Sequence, residues 1–346
     1  MKSTFTLLAL LMLANLGFAQ MYDGPESVEW DSINSRYLIS NTGSNKILAR
    51  AANGTLTTFA TLANAPYGLE IVGAKLYACT GTKITVLNLT TGVQITQINC
   101  SGASFLNGIT HDANGNVYAT DFSAKKIYKI NTNTNVASVY VSATVNTPNG
   151  IVFDQPNNRL VYACWGSNAK IKAVSLVDSS QTTLTTTTLT SIDGLTLDPY
   201  GNFYAANWGS NSLVRFNNNC TTNTTVMAGL DSPADICYNP QSDSIAIPNS
   251  GNNTVVFYFN ILTGVKKIVA DNFSIYPNPT SDYLVLNGIE NNSKVDFEIL
   301  DSNGKLLLKN TINTSNKIDV RNFIKGIYYL NATQNKKRFS KTFVKE

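Results

Sequence analysis

The 346 residues carry 26 Lys+Arg against 22 Asp+Glu, one His and five Cys, for a net charge of +4. From Gln20 to Ala270 the balance is 14 basic to 14 acidic residues, and from Asp271 onward it is 11 to 8. Neither part holds a basic stripe with interleaved aromatics, which excludes a nucleic-acid footprint. A single His leaves little room for Ser-His-Asp or Cys-His catalysis.

In chain order, the first feature is a leader. Lys2 precedes an apolar run from Leu7 to Leu16 and the small-residue site Gly17-Phe18-Ala19, so residues 1–19 read as a signal peptide. No Cys stands at that site, which argues against a lipoprotein, and no later stretch is long enough to be a transmembrane helix. The remaining length predicts two domains, 20–270 and 271–346.

A short phrase then recurs six times: a turn residue, a variable position, a small residue and a branched apolar residue. The copies are Pro25-Glu26-Ser27-Val28, Pro66-Tyr67-Gly68-Leu69, Leu106-Asn107-Gly108-Ile109, Pro148-Asn149-Gly150-Ile151, Ile192-Asp193-Gly194-Leu195 and Pro233-Ala234-Asp235-Ile236. Their variable positions are 41, 40, 42, 44 and 41 residues apart, the period of a propeller blade. Each repeat reads as four short strands; in repeat five these are Leu195–Leu197, Phe203–Ala205, Leu213–Phe216 and Thr224–Val226. The expected fold is all-β, a six-bladed β-propeller, with its ring-closing strand left open between the last blade and the segment before Asp23.

Equivalent residues of a propeller surround one channel, and four of the six variable positions carry oxygen side chains: Glu26, Asn107, Asn149 and Asp193. Two carboxylates and two amides suit a hard cation such as calcium. The small residue that follows each is expected to let the backbone turn tightly at the channel mouth. Asn41, Asp121, Asn207 and Asn249 recur as turn-binding residues. Trp30, Phe153, Trp165 and Trp208 read as packing between or over blades, and His111 as a satisfied strand residue. Cys79 and Cys164 read as small buried strand residues, and Cys220 with Cys237 is the one disulfide pairing to test.

These residues resemble the regucalcin (senescence marker protein), gluconolactonase and luciferin-regenerating-enzyme family, and more distantly paraoxonases and diisopropyl-fluorophosphatase. The resemblance implies a calcium, or another divalent cation, held by Glu26, Asn107, Asn149 and Asp193, with Asp193 also as base or nucleophile in lactone or ester hydrolysis. Two departures stand out: Ser27-Val28 follows Glu26 where the family usually has Gly-Pro, and Ala103-Ser104-Phe105 offers no counterpart of its clamping Arg. The repeats also resemble NHL repeats, as in Tyr118-Ala-Thr-Asp121, which implies an alternative: a non-catalytic surface propeller binding glycan or protein.

The tail carries Tyr276-Pro-Asn-Pro-Thr280, Val295-Asp-Phe-Glu-Ile299, Asp301-Ser-Asn-Gly304, Gly326-Ile-Tyr-Tyr-Leu330 and Lys341-Thr-Phe-Val-Lys345. In motif order it resembles the type A C-terminal sorting domain of the type IX secretion system of Bacteroidota. Read physically, the tail is a small antiparallel β-sandwich whose core is filled by alternating Val285, Phe297, Ile299, Leu306 and Leu308, and the resemblance implies the type IX machinery as partner. A monomer, released or held at the cell surface, is expected.

Overall fold

A computed structural model of the chain describes residues 21–259, 274–287, 294–301, 305–312, 317–334 and 337–346. The leader (1–19) and the domain cut at Asp271 both lie outside the described residues; the chain divides into two compact units, Met1–Ile261 and Leu262–Glu346. Among the described residues no helix is long and apolar enough to cross a membrane.

In the first unit, five antiparallel sheets have four strands in chain order, at residues 25–61, 69–99, 106–141, 148–186 and 192–228. A sixth, at 237–259, has three among the described residues. Repeat five folds as read, with strands Ile192–Leu197, Phe203–Asn207, Ser212–Phe216 and Asn223–Ala228. What binds the sheets together is a set of six apolar clusters, each shared by neighbouring sheets. One joins Leu38 and Ile47 to Leu69 and Leu87, and so on around to a last that joins Ala246 to Val28 and Ile39. The chain is therefore a β-propeller whose sixth sheet packs on its first. Tyr77, Tyr118, Tyr162 and Tyr204 are fully buried in three of these clusters. Tyr118 and Tyr204 satisfy their hydroxyls on Asp112 (3.0 Å) and Asp198 (3.3 Å).

Closure needs no shared strand among the described residues. Asp235 N–H donates to Glu26 O (2.8 Å), Ser250 Oγ to Pro25 O (2.6 Å), and Asn239 Nδ2 to the Tyr37 hydroxyl (2.7 Å). Met21 and Tyr22 form no strand.

Strand-end carboxylates absorb much of the acidic count. Asp31 and Asp154 pair with Arg36 (2.9 Å) and Arg159 (2.7 Å), while Asp112 and Asp198 accept the turn amides of Asn114 and Tyr200. Asp121 clamps Ser104 and Phe105 by their N–H groups as well as Ala124 in the turn that follows. All five Cys are free. Cys79 and Cys164 are buried strand residues as expected. The Cys220–Cys237 pairing does not form: Cys220 sits in a turn at φ 56°, and Cys237 turns its thiol to Glu29 (3.0 Å).

The second unit is a sandwich of a three-stranded and a four-stranded antiparallel sheet around Phe297, Ile299, Leu284, Leu286, Leu330 and Phe343. Leu308 packs against that core, but Val285 and Leu306 do not belong to it. Tyr283–Asn287 is read one residue out of phase, and a shift of one exchanges the faces of a strand. Leu306 lies beyond a bulge opposite Ile299 and Leu300.

Candidate functional site

The first strands of successive sheets lie side by side, so the variable positions of the phrase form one ring about the channel. Local structure sets four of them apart. The first strands Pro25–Asp31, Leu106–His111, Pro148–Asp154 and Ile192–Leu197 run through the phrase, whereas those of sheets two and six begin beyond its variable and small residues, at Leu69 and Cys237. In each of the four the pairing with the second strand slips across the variable and small residues. A bulge frees such residues from the ladder and re-aims their side chains. Glu26, Asn107, Asn149 and Asp193 all sit in these bulges and all are buried. Tyr67 and Ala234 complete the ring.

The glycines of the phrase answer to packing, which corrects the tight-turn expectation. None of Gly68, Gly108, Gly150 and Gly194 has a positive φ. A Cβ on Gly108 would stand 2.4 Å from Asn149 O, one on Gly150 2.5 Å from Asp193 O, and one on Gly194 2.6 Å from Ala234 O. Each glycine thus lets the next blade's ring residue come up against it, backbone to backbone. In blades one and six the slots hold Ser27 and Asp235, joined across the seam by a hydrogen bond from Ser27 Oγ to Asp235 Oδ2 (2.9 Å).

The seam brings a third carboxylate to the ring. Burial first, then Asp193 and Asp235, hold the Glu26 carboxyl well above its usual range. Burial, reinforced by Asp235, pushes Asp193 up to about 8, against a hydrogen bond from Asn149 Nδ2 to its Oδ1 (3.0 Å). Asp235 is pushed up to about 7 by burial, with Ser27 opposing. Glu26 Oε2 is buried and has no hydrogen-bond partner. An orphaned carboxylate oxygen beside two more acids fits a bound cation. Among the described residues no three His, Cys, Asp or Glu side chains converge at metal-ligand spacing, so any such site depends on the two amides.

Sequence reasoning missed Asp235, although the aligned phrases show it where four others have glycine. It also missed Glu29, Glu70 and Cys237, three residues beyond the ring positions. Burial and the neighbouring Glu70 raise Glu29, and Glu70 in turn pairs with His111 Nδ1 (2.5 Å). His111 is a satisfied strand residue, as expected.

Sequence reasoning offers only Trp165, Trp208 and Tyr67 as grouped loop aromatics, and the structure extends the group. Tyr67, Phe105, Phe122, Trp165 and Trp208 form an unbroken chain of edge-to-face rings, with centroids 4.6, 5.9, 5.9 and 5.7 Å apart. All five are half-buried. Phe122, Trp165 and Trp208 each follow the second strand of their sheet, and their N–H groups bond the carbonyls of Phe105, Thr147 and Ser191. Those carbonyls lie two residues before Asn107, Asn149 and Asp193. The aromatics therefore stand beside the ring instead of between blades.

Comparison with known proteins agrees with this architecture. Solved structures with a similar fold include a gluconolactonase from Xanthomonas campestris at 14% identity, with TM-score 0.58 over 66% of this chain and 84% of that one. A luciferin-regenerating enzyme matches at 13% identity, with TM-score 0.55 over 66% and 85%, and a streptogramin B lyase at 18%, with TM-score 0.52 over 65% and 76%. Residues 274–346 match the family described as secretion system C-terminal sorting domain. That tail directs the chain to the type IX secretion machinery, and so to the cell surface or the medium. Residues 25–245, more than half of the chain, match the SMP-30/Gluconolactonase/LRE-like region, and the protein belongs to that family.

Proposed function

We propose that the protein is an exported, calcium-dependent hydrolase of lactones or esters, with the ion held at the channel ring by Glu26, Asn107, Asn149 and Asp193. The observation that carries this reading is Glu26 Oε2, buried without a partner within electrostatic reach of Asp193 and Asp235. Bound calcium would supply a Lewis acid for the substrate carbonyl oxygen. Asn149 Nδ2 fixes the Asp193 carboxylate by its Oδ1, leaving it aimed for one task. Asp193 accepts the proton of a water whose oxygen bonds to the carbonyl carbon. As the C–O bond to the leaving oxygen breaks, that proton passes to the leaving alkoxide. In the nucleophilic variant an Asp193 oxygen bonds to the carbonyl carbon as the C–O bond to the leaving alkoxide breaks and the alkoxide takes a proton from water; water then cleaves the acyl–Asp193 anhydride, freeing the acid and the carboxylate.

Asp193→Asn is nearly isosteric, so it should keep the circular-dichroism spectrum of the wild type while turnover of a lactone and ester panel falls at least about a hundredfold. Unchanged hydrolysis in that variant sinks the proposal. Calcium at 100 times its dissociation constant should add about 2.7 kcal/mol to the wild type and far less to Asp193→Ala. If chelator changes nothing in the wild type, the lead passes to the non-catalytic propeller that binds glycan or protein, a reading that the grouped aromatics favour.

A further inference from the structure

In the second unit the sandwich covers one face of its four-stranded sheet and leaves the other open. Across that sheet the strands run Leu306–Ile312, Val295–Asp301, Gly326–Gln334 and Lys337–Lys345. Phe297, Ile299, Tyr328, Leu330 and Phe343 turn into the core, so the residues that alternate with them form the outer face. Pairing splits this face into two unlike halves. In one, Glu298 stands opposite Lys309 and Asp296 opposite Thr311, and each pair is joined by a hydrogen bond of 2.6 Å. In the other, Leu300 stands opposite both Leu306 and Tyr329, and Ile327 stands opposite Val344.

The polar half is satisfied within itself, and the apolar half is not. Leu306, Ile327, Tyr329 and Val344 are between 38% and 53% exposed, and Ile324, just before the strand that carries two of them, is 81% exposed. None of these side chains belongs to the core of the sandwich. Scattered exposed apolar residues are ordinary, but a group in register across four adjacent strands marks an interaction surface.

Two observations choose its occupant. About six side chains are far fewer than the roughly 20–30 residues a side of a stable interface, so this patch is too small to hold a second copy of the chain and suits a partner that grips and lets go. The tail itself matches a secretion-system sorting domain and holds none of the ring residues, so being recognised is its work. At the apolar end of the sheet stand Lys305, Lys325 and Lys345 against Asp301 and Glu346, which leaves that edge net positive.

We propose that this apolar half-face is where the sorting tail docks on the type IX machinery, on a receiving surface that is apolar with an acidic edge. The proposal rests on the sorting tail and is independent of the hydrolase reading.

The test is export of the full chain from a Bacteroidota host with intact type IX machinery, read as the fraction of propeller outside the cell. The double variant Ile327→Gln/Tyr329→Gln should lower that fraction at least about tenfold. Ile327→Val/Tyr329→Phe, which keeps the face apolar, should export like the wild type, as should Glu298→Gln/Lys309→Gln in the polar half. Urea unfolding of the purified full chains should be the same for all, because the altered side chains lie outside the core. Leu306→Gln, on the opposite edge strand, gives the same reading should the first double variant fail to fold. Normal export of the Gln variants overturns the proposal, and so does an equal loss in the polar-half or the conservative pair. Normal export with a change from dimer to monomer in sedimentation would assign the face to a second copy instead. Normal export with weakened unfolding would assign it to a contact within the chain. Either result overturns docking on the machinery.

Discussion

Blades two to five and the seam between blades six and one solve the same contact differently. In the former, Gly68, Gly108, Gly150 and Gly194 leave room for a neighbour's backbone. At the seam, Ser27 and Asp235 fill the space with a hydrogen bond and a carboxylate next to Glu26 and Asp193. One strand position therefore admits a neighbour's backbone at four of the six contacts and loads the ring with charge between blades six and one. This is why the acid ring is lopsided: the seam supplies the third carboxylate.

The largest effect should come from breaking a glycine contact. In Gly150→Ala the new methyl meets Asp193 O at 2.5 Å, Leu195 N at 2.7 Å and Gly194 Cα at 2.8 Å, all backbone atoms that cannot swing away. Overpacking of that kind should cost about 3 kcal/mol in denaturant unfolding. A loss under about 1 kcal/mol would mean that the blades separate freely and that the glycines serve another end.

The seam predicts a pH dependence of unusual sign. Asp235 and Asp193 stand at about 7 and about 8 in the folded chain, and Glu26 is also raised. Unfolded carboxyls titrate near ~4. The folded state then keeps protons that the unfolded state releases, so stability is full below about pH 4 and is lost as pH rises through 7 to 8. In chelator, urea unfolding should weaken steadily from pH 5 to pH 8. Calcium should flatten that fall, and Asp235→Asn should shrink it. A profile that rises over this window would show the three acids to be independently solvated.

Much of this was legible in the amino-acid order. The period and the ring position follow from the phrase, because each copy occupies the same place on a first strand. The carboxylates and amides at Glu26, Asn107, Asn149 and Asp193 were visible for that reason. What the phrase conceals is direction. A glycine at φ below zero looks the same in sequence whether it turns or admits a neighbour, so its partner in the next blade had to be seen. Phe122, Trp165 and Trp208 stand one residue beyond the recurring Asp121 and Asn207 positions, but only curvature brings them into one chain with Phe105 and Tyr67. In the tail, three consecutive apolar residues, Leu284-Val285-Leu286, leave the inward face ambiguous until the partner sheet selects Leu284 and Leu286.

The smallest effect sharpens the seam most. Ser27 Oγ donates to Asp235 Oδ2 and accepts the N–H of Leu69 (3.2 Å), so it links blades six, one and two. Ser27→Ala removes both bonds and leaves a buried amide unpaired, which should cost about 1 to 2 kcal/mol. The Asp235 carboxyl, deprived of the bond that opposes its rise, should move higher, so the pH 5 to 8 fall in chelator should grow. Ser27→Gly imitates the other four blades at this slot and loses the same bonds. If the two variants match in stability and in pH profile, the hydroxyl, and not the bulk of the side chain, joins the seam. If Ser27→Gly restores stability relative to Ala, backbone approach matters there too, and the contrast between the seam and the glycine blades is one of degree.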